Sequence, residues 1–212
     1  MRTVLILLFV SLIASSCASE KEYLFNGKNL DGWTIFVDES IISPDDFFYV
    51  NDGMIECAGV PNGYLRTVKE YSDYHLHIEW RYPDEPTNSG VFLHTNGPDL
   101  IWPAHYQGQL KYQDAGDFIV HGVGKSATLG DSTYVSSDTL KPLIPKLNPT
   151  NEKPAGEWNS YDITCQGNTI ELRVNGLLQN TATNCSMTSG GIGLQAEGSR
   201  IQFRNLWIEP LK

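Results

Sequence analysis

Apolar and polar positions alternate along most of this chain, with no helical period. In YHLHIEWRY, Tyr74, Leu76, Ile78, Trp80 and Tyr82 fall on one side, and His75, His77, Glu79 and Arg81 on the other. Successive side chains of a strand point to opposite faces, so this segment predicts a strand with one face buried. The stretch AHYQGQLKYQ, from Ala104 to Gln113, repeats the pattern with different content. Its odd positions, His105, Gln107, Gln109, Lys111 and Gln113, are polar; its even positions, Ala104, Tyr106, Gly108, Leu110 and Tyr112, are apolar or small. These hydrogen-bonding groups then stand in one row, about 6 to 7 Å apart. Such a row is either solvated surface or the floor of a polar groove. Antiparallel sheets commonly wet one face, so the strand alone predicts solvated surface.

The same period recurs along the chain. FFYVNDGMIECAG, Phe47 to Gly59, reads as an aromatic strand, an Asn-Asp-Gly turn and a second strand, the pattern of a hairpin. Tyr23 to Phe36 carries Asn-Gly and Asp-Gly turns and brings Trp33 to the core. Asp114 to Gly124 predicts a turn and a strand with Asp117, Ile119 and His121 on one face. NTIELRV opposes Ile170, Leu172 and Val174 to Thr169, Glu171 and Arg173, and runs into a tight Asn175-Gly176 turn. GGIGLQAEG sets Gly191, Gly193, Gln195 and Glu197 against Ile192, Leu194 and Ala196. The last strand changes phase between Phe203 and Leu206, which predicts a bulge at Arg204 and Asn205. Between Lys125 and Gly156, where Pro142, Pro145, Pro149 and Pro154 fall, the period disappears and a long loop is expected; loops of this length are often functional. About a dozen short strands with Gly-, Asn- and Pro-rich turns predict an all-β sandwich or jelly roll in one domain.

The N-terminus departs from this pattern. MRTVLILLFVSLIASSC has one positive charge, Arg2, then an apolar run from Val4 to Ile13 and small residues before Cys17. The run is too short to span a bilayer and reads as a secretory signal. Ala14, Ser15 and Ser16 resemble the box preceding a lipidated cysteine. The expectation is a lipoprotein signal over 1–16, lipid on Cys17, a tether over 17–22 and one domain over 23–212. The protein is then exported and held at the bacterial cell envelope through its N-terminal lipid alone. An ordinary signal peptide with an incidental cysteine is the alternative.

The formal net charge of −10, without basic clusters, argues against nucleic-acid binding and is compatible with neutral or cationic small ligands. Cys57, Cys165 and Cys185 match no zinc spacing; two of the three could pair, and Cys165 with Cys185, beside one hairpin, is the first candidate for a disulfide. His75 and His77 share a face with Glu79, a composition that suits a divalent ion. No third histidine stands nearby in sequence, and a wet outer face is the expectation. GGIG is followed by no helix pattern, so it is not a dinucleotide fingerprint, and there is no G-x-S-x-G elbow.

LFNGKNLDGW, NSGVFLH, IWPAHYQGQLKYQDAGDF, GEWNSYDITCQGNTIELRVNG and GGIGLQAEGSRIQFRNLWIEPL, in that order, together resemble the 3-keto-disaccharide hydrolase domain family over essentially the whole mature chain. The resemblance implies a concanavalin A-like jelly roll of two curved antiparallel sheets with ligands on the concave face. It also implies an exported enzyme that cleaves glycosides already oxidised at C3, by hydrolysis or by 1,2-elimination. A ketone at C3 acidifies the C2 hydrogen, so a base removes it while the C1 substituent leaves and donors or a cation hold the enolate. Many relatives carry a glutamate where this chain has Gln107, and an amide cannot act as a general base.

On the resemblance, Asp117 or His121 is the catalytic candidate. Asn88, His94, Gln107, Gln109, Gln195 and Glu197 are the substrate-binding candidates, and Trp102 is the surface on which a sugar ring stacks. No cofactor is implied with certainty. A divalent metal is compatible with the fold, although no acidic loop has recognisable calcium-ligand spacing. If the missing carboxylate is essential, the chain is instead a non-catalytic carbohydrate-binding lipoprotein; a purely structural sandwich is the third reading. The resemblance turns the row from His105 to Gln113 into an expected groove floor.

Overall fold

The computed structural model describes residues 20–211, so the signal segment and the proposed lipidation at Cys17 lie outside the described residues. In chain order the strands are β1 (Glu22–Tyr23), β2 (Trp33–Phe36), β3 (Phe48–Asn51), β4 (Met54–Cys57), β5 (Gly63–Thr67) and β6 (Tyr74–Arg81). They continue with β7 (Gly90–Asn96), β8 (Ala104–Gln109), β9 (Phe118–His121), β10 (Ser126–Leu129), β11 (Ser132–Val135) and β12 (Leu143–Ile144). The last are β13 (Asn159–Gln166), β14 (Thr169–Val174), β15 (Leu177–Thr183), β16 (Gly191–Ala196) and β17 (Ile201–Pro210), and one short helix, α1 (Pro44–Phe47), precedes β3. Glu22, read from sequence as the end of the tether, already pairs with Ile208 in the first strand.

Ten strands form one antiparallel sheet in the order β11-β10-β15-β14-β13-β6-β17-β4-β3, with β1 on β17; seven form the other, β12-β9-β8-β7-β16-β5-β2. The fold is a two-sheet, concanavalin A-like jelly roll. Its core lies between the sheets because each alternating strand turns its apolar set inward. From β6 come Leu76, Ile78 and Trp80, from β13 Tyr161 and Ile163, from β8 Tyr106, and from β16 Ile192 and Leu194, all fully buried. The rings of Trp80 and Tyr161 are 5.6 Å apart. The bulge expected in the last strand is present: the β17–β6 register shifts between Arg204 and Trp207, with Asn205 at φ 53°. It lets Phe203 and Leu206, of opposite parity, both face the core.

Two expectations are corrected. The stretch from Lys125 to Gly156 is not without strands: β10 and β11 form a hairpin, and β12 pairs with β9. Each has at most four residues, and β11 is largely exposed at a sheet edge, so no alternation could mark them. Cys165 and Cys185 are not bonded; both are free, buried thiols, as is Cys57. They pack as small hydrophobes, Cys165 beside the Tyr74 hydroxyl and Cys185 beside that of Tyr106, and burial pushes each thiol up to about 12.

Candidate functional site

The polar row survives in shortened form. β8 ends at Gln109, and the chain turns through Lys111 and Gln113, which leave the row. His105, Gln107 and Gln109 remain on the face turned away from the core, and all three are buried. Over them lies a depression of about 250 Å³ lined by Asn88, Trp102, Gln107, Gln109, Ile119, His121, Lys141, Leu143, Gln195 and Glu197.

Its floor is a chain of amides. Gln107 Nε2 donates to Gln109 Oε1 at 3.1 Å and to Gln195 Oε1 at 3.0 Å; Gln195 Nε2 in turn donates to Glu197 Oε2 at 2.8 Å. Gln107 belongs to β8 and Gln195 to β16, with β7 between them. Their side chains meet over β7 because the residue beneath is Gly90, where a Cβ would lie 2.5 Å from Gln107 Nε2. Gly90→Ala is therefore expected to swing Gln107 off Gln195. The lost hydrogen bond, of about 1 kcal/mol, is expected to lower the midpoint of urea unfolding; an unchanged midpoint would show the bridge to be dispensable.

Two buried carbonyl oxygens in this floor, Gln107 Oε1 and Asn88 Oδ1, have no protein partner. A buried acceptor without a donor is costly, and such groups in native proteins usually await a ligand or water. Both oxygens are free to accept a hydrogen bond from a donor that enters the depression.

Beside the amides stands a stack of rings. Phe92 from β7 lies 3.7 Å from the His105 ring, and His105 lies 4.3 Å from His121. His105 Nδ1 donates to the Pro103 carbonyl at 2.7 Å, which leaves Nε2 as the bare nitrogen. Burial, reinforced by the neighbouring His121, holds His105 well below the usual histidine range. Burial and then the Lys141 ammonium lower His121 to about 4. Both imidazoles are neutral at ordinary pH.

Among the described residues Glu197 is the only carboxylate lining the depression. Burial raises it above the usual glutamate range, against the opposing pull of Lys141 and a hydrogen bond from Asn88. Lys141 arrives from the segment between β11 and β12 and makes no ion pair within 4.0 Å among the described residues. The site thus combines one carboxylate of raised basicity, one ammonium, a neutral imidazole and hydroxyl-binding amides. That set can remove a proton from carbon and hold the oxyanion that results.

The model of the 3-keto-alpha-glucoside-1,2-lyase-like domain matches residues 20–209 of this sequence. The chain belongs to this family. A Bacteroides thetaiotaomicron protein named 3-keto-disaccharide hydrolase is 24% identical over 234 residues, spanning 89% of this chain and 77% of that protein. A solved structure of a proposed glycosyl hydrolase from Parabacteroides distasonis superposes with a TM-score of 0.67 at 21% identity, covering 91% of this chain and 94% of that one. The Bacillus licheniformis beta-glucanase structure superposes with a TM-score of 0.60 at 14% identity, covering 93% and 100%.

Of the residues singled out from sequence, Asn88, Trp102, Gln107, Gln109, His121, Gln195 and Glu197 meet in this one depression. Asp117 and His94 do not. Asp117 has the parity of Ile119 and His121, but its Oδ1 accepts the Lys146 backbone N–H at 2.9 Å and lies 3.8 Å from Lys146 Nζ. It anchors the chain after β12 and lies outside this depression. His94 sits at φ 51°, where the β7–β8 register shifts. That twist aims its ring at Tyr74 and at the carbonyls of Met187 and Ser72, each 3.2 Å from a ring nitrogen; it packs away from the groove.

His75 and His77 share the Asp162 carboxylate, at 3.5 and 2.7 Å, and no cluster among the described residues has the makings of a metal site. Sequence reasoning missed Lys141, which lies in a segment without period. It also missed Gly90, although that residue sits inside the NSGVFLH segment.

Proposed function

We propose that this protein cleaves 3-keto-glycosides by abstraction of the C2 proton, at the cell envelope and in the service of glycan breakdown. Its family and relatives make it a glycoside-hydrolase-like, carbohydrate-acting protein. The observation that carries the finer reading is the pairing of a single carboxylate, Glu197, with a single ammonium, Lys141, beside amide oxygens that lack partners. A glycosidase of the usual kind needs two carboxyl groups across the scissile bond, whereas an elimination next to a ketone needs one base and one oxyanion holder.

In this reading Asn88, Gln107 and Gln195 hold the hydroxyls of the oxidised ring. The Glu197 carboxylate takes the C2 proton, and the C–H electron pair passes into the C3 carbonyl as an enolate that faces Lys141. The enolate then re-forms the carbonyl, the C1–C2 double bond forms and the C1–O bond breaks. The departing oxygen takes the proton from Glu197 or from water. Hydrolysis, where it follows, adds water across C1–C2, oxygen to C1 and hydrogen to C2.

The test is product formation from a panel of 3-keto-disaccharides and 3-keto-glucosides by the purified protein. Absence of turnover on all of them removes the reading. Lys141→Ala is expected to lower kcat about 100-fold, as loss of one oxyanion-stabilising group does, with little change in KM; an equal rise in KM alone would make Lys141 a binding group. A second reading, a carbohydrate-binding protein without activity, is favoured by the amide at Gln107; measurable sugar affinity without turnover would establish it. Envelope anchoring rests on the Cys17 segment, and a mature N-terminus without acyl mass by mass spectrometry would remove it.

A further inference from the structure

A second depression, of about 340 Å³, adjoins the polar one and shares Trp102, His121 and Lys141 with it. The groove is thus one continuous trough divided by these three residues, and a substrate seated across it has one part on each side. The two sides differ in character. The second is walled by Pro98, Leu100, Ala104, Val123 and the shared Trp102, with Leu100 55% and Val123 64% exposed.

Several of its polar groups are already occupied. Ser136 Oγ donates to the Leu140 carbonyl at 3.2 Å, and Ser137 Oγ accepts the Leu140 N–H at 3.1 Å. Asn96 Nδ2 is shared between the His94 and Ser189 carbonyls at 2.8 and 2.6 Å. The walls are pinned as well: Asp99 ties the Leu100 loop to the Tyr64 hydroxyl at 2.8 Å and to Arg66 at 3.1 Å. Across the trough, Ser136 is held to Lys125 and Gly124 by backbone bonds of 2.8 Å. This side is walled mainly by apolar side chains, with Asp138 and the shared Lys141 and His121 as its ionisable groups, unlike the amide floor next to it.

We propose that this side is a leaving-group subsite for an aromatic aglycone, so that the preferred substrates are 3-keto-glycosides of phenols rather than of a second sugar. The inference rests on the reading above and refines it. A second sugar would present hydroxyls to Leu100, Val123 and Pro98, which cannot receive them, and desolvating hydroxyls without partners is costly. A flat apolar ring gains from the same walls and from the indole of Trp102. The chemistry agrees. Among the described residues the polar side carries Glu197 as its one carboxylate and this side the exposed Asp138. A phenol leaves as its phenolate with little proton assistance, whereas a sugar alkoxide does not. The C1–O electron pair remains on the phenolate oxygen, which is protonated by water after release.

The experiment compares phenyl 3-keto-glucoside with a 3-keto-disaccharide, using the mature protein and its Val123→Asp and Leu100→Asp variants. Both positions are solvent-facing, so folding is not at stake, and a charge there removes apolar contact worth about tenfold or more. The expected result is a kcat/KM at least about tenfold higher for the phenyl compound, and a fall of that preference by about tenfold in either variant. Turnover of both compounds at equal rates, a preference for the disaccharide, or a phenyl preference untouched by both variants would overturn the subsite while leaving the proposed reaction intact. Turnover of neither compound would remove the proposed reaction. In that case phenol-induced quenching of tryptophan fluorescence decides the subsite: binding abolished by Val123→Asp retains an aromatic site, and no binding ends it.

Discussion

Glu197→Gln is expected to lower kcat on a 3-keto-glycoside by about 10²- to 10⁴-fold, the range over which a positioned general base contributes. The substitution is chosen because it keeps the hydrogen bonding. Gln195 Nε2 donates to Glu197 Oε2 at 2.8 Å, and an amide oxygen accepts that bond equally well. The protein should unfold within about 0.5 kcal/mol of the wild type, as for most changes that remove no packing, and KM should move little, because the ring is held by the amides. What disappears is a lone pair of sufficient basicity.

The pH profile gives an independent reading. Burial raises the Glu197 carboxyl above the usual range, against Lys141 and Asn88. The base works ionised, so wild-type activity is full above this raised value and falls as pH drops through it. His121, lowered to about 4 by burial and by Lys141, stays neutral through that window and adds no limb. A wild-type acid limb that follows the ordinary glutamate value, or a Glu197→Gln variant within threefold of wild type, would move the chemistry to another group.

That Glu197 lines the depression and Asp117 does not illustrates what the sequence could and could not convey. The β16 alternation placed Gln195 and Glu197 on the face opposite Ile192 and Leu194, as found. A strand's parity is a local property, and wherever the strand is regular it carries over to the folded protein. The two jelly-roll sheets were legible for the same reason: β6, β13, β14 and β16 each alternate over six or more residues. Asp117 and His94 failed where parity no longer decides direction. Asp117 lies one residue before β9 and is captured by a backbone N–H 29 positions on, while His94 is turned by a left-handed φ at a bulge.

Lys141 could not be found by pattern at all. Its place at the groove depends on β11, β12 and the segment between them, whose path is set by the long-range pairing of β12 with β9 and by no period of its own. The polar row was half right. Two of its members, Gln107 and Gln109, line the depression, while His105 is buried in the ring stack beside them.

Phe92→Ala is expected to cost about 3 to 5 kcal/mol of stability, the range for removing a fully buried aromatic side chain. Phe92 is completely buried, yet it lies outside the core between the sheets: it faces the groove side, with the rings of His105 at 3.7 Å, Tyr64 at 5.7 Å and Trp102 at 6.3 Å. The floor therefore has a packed layer of its own, and the face that carries the depression depends on it. Gly193 on β16 provides the room, since a Cβ there would come within 3.0 Å of the Phe92 ring. Urea unfolding should show a lower midpoint with an unchanged slope, because the surface exposed on unfolding is nearly the same. The same change should act on titration. His121 is kept neutral chiefly by burial, with the His105 ring 4.3 Å away on the Phe92 side. Without Phe92 the stack loosens, water reaches the imidazoles, and the desolvation that disfavours their charged forms weakens. His121 should then titrate above its value of about 4, toward the ordinary histidine range of about 6.5, as followed by the pH dependence of its ring proton shifts. Phe92→Leu, which fills much of the volume, should recover most of the stability and leave His121 near the wild-type value. A Phe92→Ala protein of wild-type stability would mean that the floor is held by the amide chain alone.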